Sequence, residues 1–201
     1  MRLFVAFEIP EAVRLAAAKI IEGLRPAVPR ARWSRIEGIH ITLKFIGHVK
    51  PETLDTIESA LAEIRTGEIV HMDFKGLGFF PNERGPRVFW AGVQASSSAA
   101  VLAAKIEERL EELEIARETR AFSPHLTLAR FEEGASVSKL IGEIQKLGSV
   151  ELGEMTTREF HLFESQTQRG GSHYTRLKSF DFVGRHAAGE SARQSGAEGS
   201  D

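Results

Sequence analysis

The protein has 201 residues, a length that suits one domain or two small domains packed together. Its 42% hydrophobic and 27% charged residues can bury a substantial core, which excludes a fibrous or largely disordered chain. A formal charge of -2 excludes a global positive field for nucleic acid, and the absence of cysteine excludes disulfides, thiolate nucleophiles and Cys-bound metals.

Alternating apolar and polar residues predict strands, and apolar residues at steps of three and four predict helices. The first half of the chain contains, in order, a strand over residues 2–9, a helix after Pro10, a strand over 40–47, a helix that begins at Pro51 and an extended segment over 69–79. The second half contains a strand over 87–94, a helix after Ser96, a strand over 125–130, a helix over 137–147 and extended segments over 157–163 and 173–183. The small, polar residues 184–201 predict a disordered tail.

Targeting and membrane signals are not found in the sequence. The N-terminal MRLFVAFEIP is interrupted by Glu8 and Pro10 and has neither an extended apolar region nor a signal cleavage site. No stretch approaches the roughly 20 apolar residues of a membrane helix. We therefore expect a cytoplasmic protein that does not bind membranes.

The tetrapeptide His-x-Thr-Leu occurs at His40 and again at His125, 85 residues later. The same offset aligns strand, helix, motif strand, helix and strand in two halves of the chain, about residues 1–84 and 85–183. This repeat predicts two related lobes within one domain. Because related units commonly pack about a twofold axis, we expect His40 and His125 to face each other across a cleft.

Each His-x-Thr strand presents an imidazole and a hydroxyl on one face, about 6.5 Å apart along the strand. Two facing imidazoles can supply one general base and one general acid, since the unperturbed histidine pKa lies near neutral pH. The hydroxyls of Thr42 and Thr127 can donate to the two non-bridging oxygens of a phosphodiester. A single motif of this kind is usually structural, and the matched pair is what indicates a site.

Other chemistries find less support in the sequence. Two histidines without a neighbouring HxxE or HExxH pattern are too few for a typical metal site, so no metal is expected. Neither GxxxxGK[ST] nor GxGxxG occurs, so the nucleotide triphosphate and dinucleotide folds are not indicated.

With these motifs the chain resembles the two-histidine (2H) phosphoesterase superfamily, specifically the RNA 2',3'-cyclic phosphodiesterases, also called 2'-5' RNA ligase-like proteins. The resemblance covers the chain to about Val183, including HITLKFIG, FSPHLTLAR and FHLFESQ. It implies a cofactor-free enzyme that opens a 2',3'-cyclic phosphate at an RNA 3' end to a 2'-phosphate, with ligation as the reverse reaction. It implies His40 as proton donor, His125 as proton acceptor, and Thr42 and Thr127 as phosphate ligands.

Further residues are assigned by position. Arg130 ends the second motif strand and is either a ligand for phosphate or the RNA backbone or a member of a structural ion pair, since strict alternation places it opposite His125. Lys44 is expected on the face of His40, where it contacts either substrate or solvent. Trp33 and Tyr174 are candidate base-stacking residues or packing residues. Arg30, Arg32 and Arg35 form a basic cluster that is either a phosphate track or ordinary surface, and His48, His71, His161, His173 and His186 are expected to be structural or exposed.

We therefore predict an α+β fold with two pseudo-symmetric lobes, each a mainly antiparallel sheet with helices on its outer face, around an active-site cleft. The predicted enzyme is a monomer that acts on RNA 3' ends bearing a 2',3'-cyclic phosphate. Two alternatives stay open: a phosphodiesterase for another small cyclic phosphate, and a non-catalytic RNA-end binder that keeps the fold.

Overall fold

The computed structural model describes residues 1–168 and 171–184, so the predicted tail beyond Gly184 and His186 lie outside the described residues. The strands are β1 (Arg2–Glu8), β2 (Arg32–Trp33), β3 (His40–His48), β4 (Val70–Phe80), β5 (Val88–Ala95), β6 (His125–Arg130), β7 (Glu151–Thr157), β8 (Glu159–Gln168) and β9 (Gly171–Asp181). The helices are α1 (Glu11–Leu24), α2 (Leu54–Ala62), α3 (Ser97–Glu111) and α4 (Ser138–Leu147).

The helices form where the sequence places apolar residues at helical spacing. Helix α1 follows Pro10 and buries Val13, Ala17 and Ile21 on one face. The helix predicted from Pro51 begins with a short 3₁₀ turn at Pro51–Thr53 before α2. Among the described residues, no helix combines the length and the apolar character needed to cross a membrane.

All strand pairs are antiparallel, and they form two sheets. The first sheet has the order β3-β1-β8-β9, and the second has the order β2-β6-β5-β4-β7. The first three strands of one sheet match β6, β5 and β4 of the other, as the 85-residue repeat predicts. The predicted α+β fold with two antiparallel sheets is therefore confirmed.

Each sheet contains strands from both halves of the chain. Strand β4 comes from the first half but pairs with β5, while β8 comes from the second half but pairs with β1. The lobes consequently do not coincide with residues 1–84 and 85–183, because the third strand of each repeat is exchanged. Strand pairing depends on contacts distant in sequence, and a repeat offset alone cannot distinguish an exchanged strand from a retained one.

Two strands were not predicted. The pair Arg32–Trp33 is too short to show alternation, and Glu151–Thr157 contains two glutamates and a glycine that hide its apolar face. The segment predicted as extended over 157–163 is also divided at Arg158, where β7 ends and β8 follows.

The two faces of β1 have different partners, and this arrangement separates core from cleft. Leu3, Val5 and Phe7 belong to the main core, in which helices and both sheets take part. Phe4 lies on the opposite face, in a small apolar cluster with Phe163 against which Tyr174 packs. This second cluster supports the wall of the cleft described next.

Candidate active site

A cleft of about 440 Å³ lies where the two motif strands approach each other. His40 and Thr42 of β3 line it from one sheet, and His125 and Thr127 of β6 line it from the other. The structure thus brings all four motif side chains into one cavity. No described residue hydrogen-bonds either threonine hydroxyl, so both can donate to a ligand.

The two imidazoles are held in the same way. Nδ1 of His40 lies 2.7 Å from the Gly38 carbonyl oxygen, and Nδ1 of His125 lies 2.8 Å from that of Ser123, in each case two residues earlier. A carbonyl oxygen only accepts, so each neutral ring carries its proton on Nδ1 and leaves Nε2 as a free base. The backbone thereby fixes the tautomer and the orientation of both rings.

The surroundings of both histidines favour the neutral imidazole. Burial, with smaller contributions from the charges of Arg130 and His125, lowers the pKa of His40 to about 4, despite the opposing effect of its hydrogen bond to Gly38. Burial also lowers the pKa of His125, again with a contribution from Arg130. In the unliganded cleft at neutral pH, two neutral imidazoles therefore face a nearby guanidinium.

Aromatic rings hold the imidazoles in place. The ring of Phe4 lies 4.6 Å from that of His40, and Tyr174 meets the same imidazole edge-on at 5.1 Å. Gly38 permits this packing, because a Cβ there would lie 3.0 Å from the Tyr174 ring. Across the cleft, Phe80 meets His125 edge-on at 5.0 Å. Tyr174 thus packs against a site residue and also lines the cleft.

A β-bulge interrupts the alternation of each motif strand, and it corrects two predictions. The β1–β3 register shifts between Val5 and Ala6 and again between Leu3 and Phe4, and the β5–β6 register shifts between Phe89 and Trp90. A bulge moves the side chains that follow it, up to the next bulge, to the other face. Arg130 therefore lines the cleft beside His125, whereas strict alternation had placed it opposite.

Lys44 is the second residue that the bulge relocates. It was expected on the face of His40, but its side chain is only 2% exposed and forms an ion pair with Glu107 of α3 at 2.5 Å. Its amine also donates to the Ala116 carbonyl at 2.6 Å. Lys44 therefore tethers β3 to the segment that leads into β6 and makes no contact with the cleft.

The bulges also place a residue in the cleft that the sequence did not indicate. Phe45 is 55% exposed and lines the cleft at the position that repeats as Arg130 in the other half. Arg2 and Ser34 line the cleft as well. Only knowledge of the bulge could have identified Phe45, since unbroken alternation assigns it to the core face.

Trp33 and the remaining histidines do not belong to the group of four motif residues, His40, Thr42, His125 and Thr127. Trp33 is half-buried, donates from its indole nitrogen to the Val28 carbonyl and packs edge-on against Phe89. His161 is buried and hydrogen-bonds Ser179, in agreement with the structural role expected for it. His48, His71 and His173 are exposed or partly exposed.

One group among the described residues has its ligand atoms close enough to bind a metal ion. It consists of His71 and Asp73 on β4 and Glu154 on β7. Its residues do not line the cleft, and Nδ1 of His71 already lies 3.1 Å from the Thr156 hydroxyl.

Comparison with known proteins assigns the class. Residues 7–90 and 93–174 match the LigT-like phosphoesterase family. The chain belongs to this family, which confirms the resemblance to 2H phosphoesterases drawn from the two motifs. Relatives within the family carry the name RNA 2',3'-cyclic phosphodiesterase.

One such relative, from Archaeoglobus fulgidus, is 34% identical over 182 residues, which cover 90% of this chain and 100% of the relative. Another, from Thermus thermophilus, is 32% identical over 195 residues and covers 92% of each chain. The crystal structure of the Thermus thermophilus protein TT0787 matches with a TM-score of 0.76 at 30% identity, over 92% of this chain and 100% of that one.

Proposed function

We propose that this protein hydrolyses RNA 2',3'-cyclic phosphate ends to 2'-phosphomonoesters by acid-base catalysis between His40 and His125. The observation that carries the proposal is the matched pair of imidazoles, each with Nδ1 bound to a carbonyl and Nε2 free in one cleft. The names of the relatives support the choice of substrate. Ligation to a 2'-5' bond is the reverse of the same reaction.

The phosphate is proposed to lie between the two motif strands. Thr42 and Thr127 donate their hydroxyls to its two non-bridging oxygens, and Arg130 offsets its negative charge from the cleft wall. Phe45 presents an exposed ring at the same cavity, which suits the base or ribose of the terminal nucleotide. The protein thus holds one charged group with paired neutral donors and the Arg130 cation.

The bond changes follow from in-line attack at phosphorus. Nε2 of His125 accepts a proton from water as the water oxygen bonds to phosphorus. The bond between phosphorus and the ribose O3' breaks, and Nε2 of His40 donates its proton to O3'. The products are a 2'-phosphate and a 3'-hydroxyl, and exchange with solvent returns the two histidines to their starting protonation states.

Bound substrate is proposed to raise the pKa of His40, which is low when the cleft holds no substrate. With a pKa of about 4, His40 is neutral at pH 7 in the unliganded protein. A phosphodiester anion beside the ring favours its charged form and raises the pKa. The acid is therefore proposed to form as the substrate binds.

Product analysis tests the function directly. An oligonucleotide that ends in a 2',3'-cyclic phosphate is incubated with the protein in the presence of EDTA, and the product is assigned as 2'- or 3'-phosphate. We expect complete conversion to the 2'-phosphate with the chelator present. A 3'-phosphate product would contradict the placement of His40 against O3', and binding without turnover would contradict catalysis.

We expect kcat/KM to have its optimum at acidic pH. This parameter reports the free enzyme, in which the productive form holds one proton on the histidine pair. The pKa values of His40 and His125 both lie below the ordinary 6.5, and that of His40 is about 4. We therefore expect kcat/KM to be highest between pH 4 and pH 6.5 and to fall as the pH rises above 6.5. The kcat optimum should lie at higher pH, because bound phosphate raises both values. A kcat/KM that keeps rising through pH 7 would contradict this assignment.

We also propose that the protein acts as a cytoplasmic monomer. Large exposed hydrophobic side chains lie on separate segments of the described chain, and scattered positions of this kind do not indicate an interface. The lack of cysteine suits a reducing compartment.

A further inference from the structure

A second cavity adjoins the cleft. It has a volume of about 470 Å³, and its lining includes Arg25, Trp33, Ser34 and Arg35. Ser34 lines both cavities, so a chain that leaves the cleft at this residue enters the second one.

The shared residue is firmly attached to the second motif strand. The Ser34 hydroxyl donates to the Thr127 carbonyl at 2.7 Å, and its backbone N–H donates to the Leu128 carbonyl at 2.8 Å. The border between the cavities therefore keeps a fixed position relative to the phosphate-binding threonine. This border lies beside β2, the edge strand of its sheet.

The border also carries uncompensated positive charge. Arg130 lines the cleft, and Arg32, which lines neither cavity, lies directly opposite it in the β2–β6 pair, where like charges are unfavourable. Some exposed arginines elsewhere, such as Arg87 and Arg176, pair with a carboxylate, whereas Arg84 does not pair with one in the described part of the chain. Within residues 1–168 and 171–184, neither Arg32 nor Arg130 pairs with a carboxylate. An anion bound beside Arg130 would offset this repulsion.

The second cavity itself combines charge with an immobile aromatic ring. Arg25 and Arg35 contact no carboxylate among the described residues, and Glu37 is the acidic residue in the lining. The indole of Trp33 is held by its hydrogen bond to Val28 at 3.2 Å and by edge contact with Phe89. A fixed aromatic ring beside arginines suits a base and its phosphate.

We propose that this second cavity is a subsite for the nucleotide that precedes the cyclic end of the RNA. Its base stacks on Trp33, and the phosphodiester that joins it to the terminal nucleotide lies near Ser34 and Arg35. The inference rests on the proposed function and extends it, since it makes an oligonucleotide the preferred substrate over a mononucleotide.

The experiment compares two substrates with the same reacting end. One is cytidine 2',3'-cyclic phosphate, which fills only the cleft, and the other is a dinucleotide that ends in the same cyclic cytidine. We expect kcat/KM to be roughly tenfold higher for the dinucleotide, a factor within the range of one base stacked on an aromatic ring. Equal values in the unaltered protein would overturn the subsite.

Variants of Trp33 and Arg35 test whether the preference for the dinucleotide arises in this cavity. Arg35→Gln and Trp33→Leu should each lower the dinucleotide-to-mononucleotide ratio of kcat/KM several-fold, and Arg35→Gln should also reduce the salt dependence of the dinucleotide reaction by about 0.7 in log-log slope. The matched control is Arg84→Gln, an exposed arginine that lines neither cavity. Equal losses in the Arg35 and Arg84 variants would overturn the inference.

The two proposals fail in different ways. Hydrolysis of both substrates at equal rates leaves the proposed function in place and overturns the subsite. If neither substrate is hydrolysed, the proposed function is overturned. The subsite is then overturned too, because it rests on that function. Urea unfolding of Trp33→Leu separates a lost base contact from a damaged fold, and Arg35→Gln tests the subsite without altering the core.

Discussion

Replacement of either cleft histidine, as His40→Ala or His125→Ala, is expected to lower kcat for a cyclic-ended RNA by about 10²–10⁴-fold. Each change removes one of the two proton transfers while leaving the other imidazole and both threonines in the cleft. The double variant should be little slower than the worse single variant, because two groups that act in one step give strongly non-additive effects. Single-turnover measurements with saturating protein report the chemical step.

The matched control for these variants is His48→Ala. His48 belongs to the same strand as His40 but does not line the cleft. It should keep the activity of the unaltered protein. Full activity in either His40→Ala or His125→Ala would rule out the proposed proton transfers.

Lys44→Ala is expected to lower the free energy of unfolding by about 3–5 kcal/mol. Removal of Lys44 leaves the Glu107 carboxylate, which is only 17% exposed, without its cation, and leaves the Ala116 carbonyl without a donor. Urea unfolding followed by circular dichroism measures the change.

Two further variants separate the ion pair from simple loss of volume. Lys44→Met combined with Glu107→Leu removes both charges and should recover part of the lost stability, although the Ala116 carbonyl still lacks its donor. Arg87→Ala breaks an exposed pair with Glu133 and should cost less than about 1 kcal/mol. If Lys44→Ala destabilised the protein no more than Arg87→Ala does, the tether would have no stabilising role.

Much of the architecture could be predicted because each element carries a local signal. The spacing after Pro10 is sufficient to predict α1, and the 85-residue offset between His40 and His125 is sufficient to predict two related sheets. The exchange of β4 and β8 could not be predicted, since strand partners are chosen by contacts that no local pattern reports. The pair Arg32–Trp33 is likewise too short for any periodicity.

The site shows the same division between local and tertiary signals. His40, Thr42, His125 and Thr127 follow from strict alternation, and the structure places all four in one cleft. The roles of Lys44, Phe45 and Arg130 depend on the extra residue that follows the motif threonine in each strand. Each bulge is visible only in the pairing of the motif strand with its neighbour. Strict alternation in the sequence therefore predicted the wrong faces for Lys44 and Arg130.

The exchange of β4 and β8 has a consequence for how the protein is made. The first strand of the chain, β1, finds one of its neighbours in β8, so Leu3 pairs with Glu164. Pairing over such a sequence distance slows folding, because a long loop must close before the contact forms. The first sheet cannot be completed while the chain is still being synthesised up to β8. Since neither half of the chain contains a whole sheet, residues from both halves must be present before either sheet is complete.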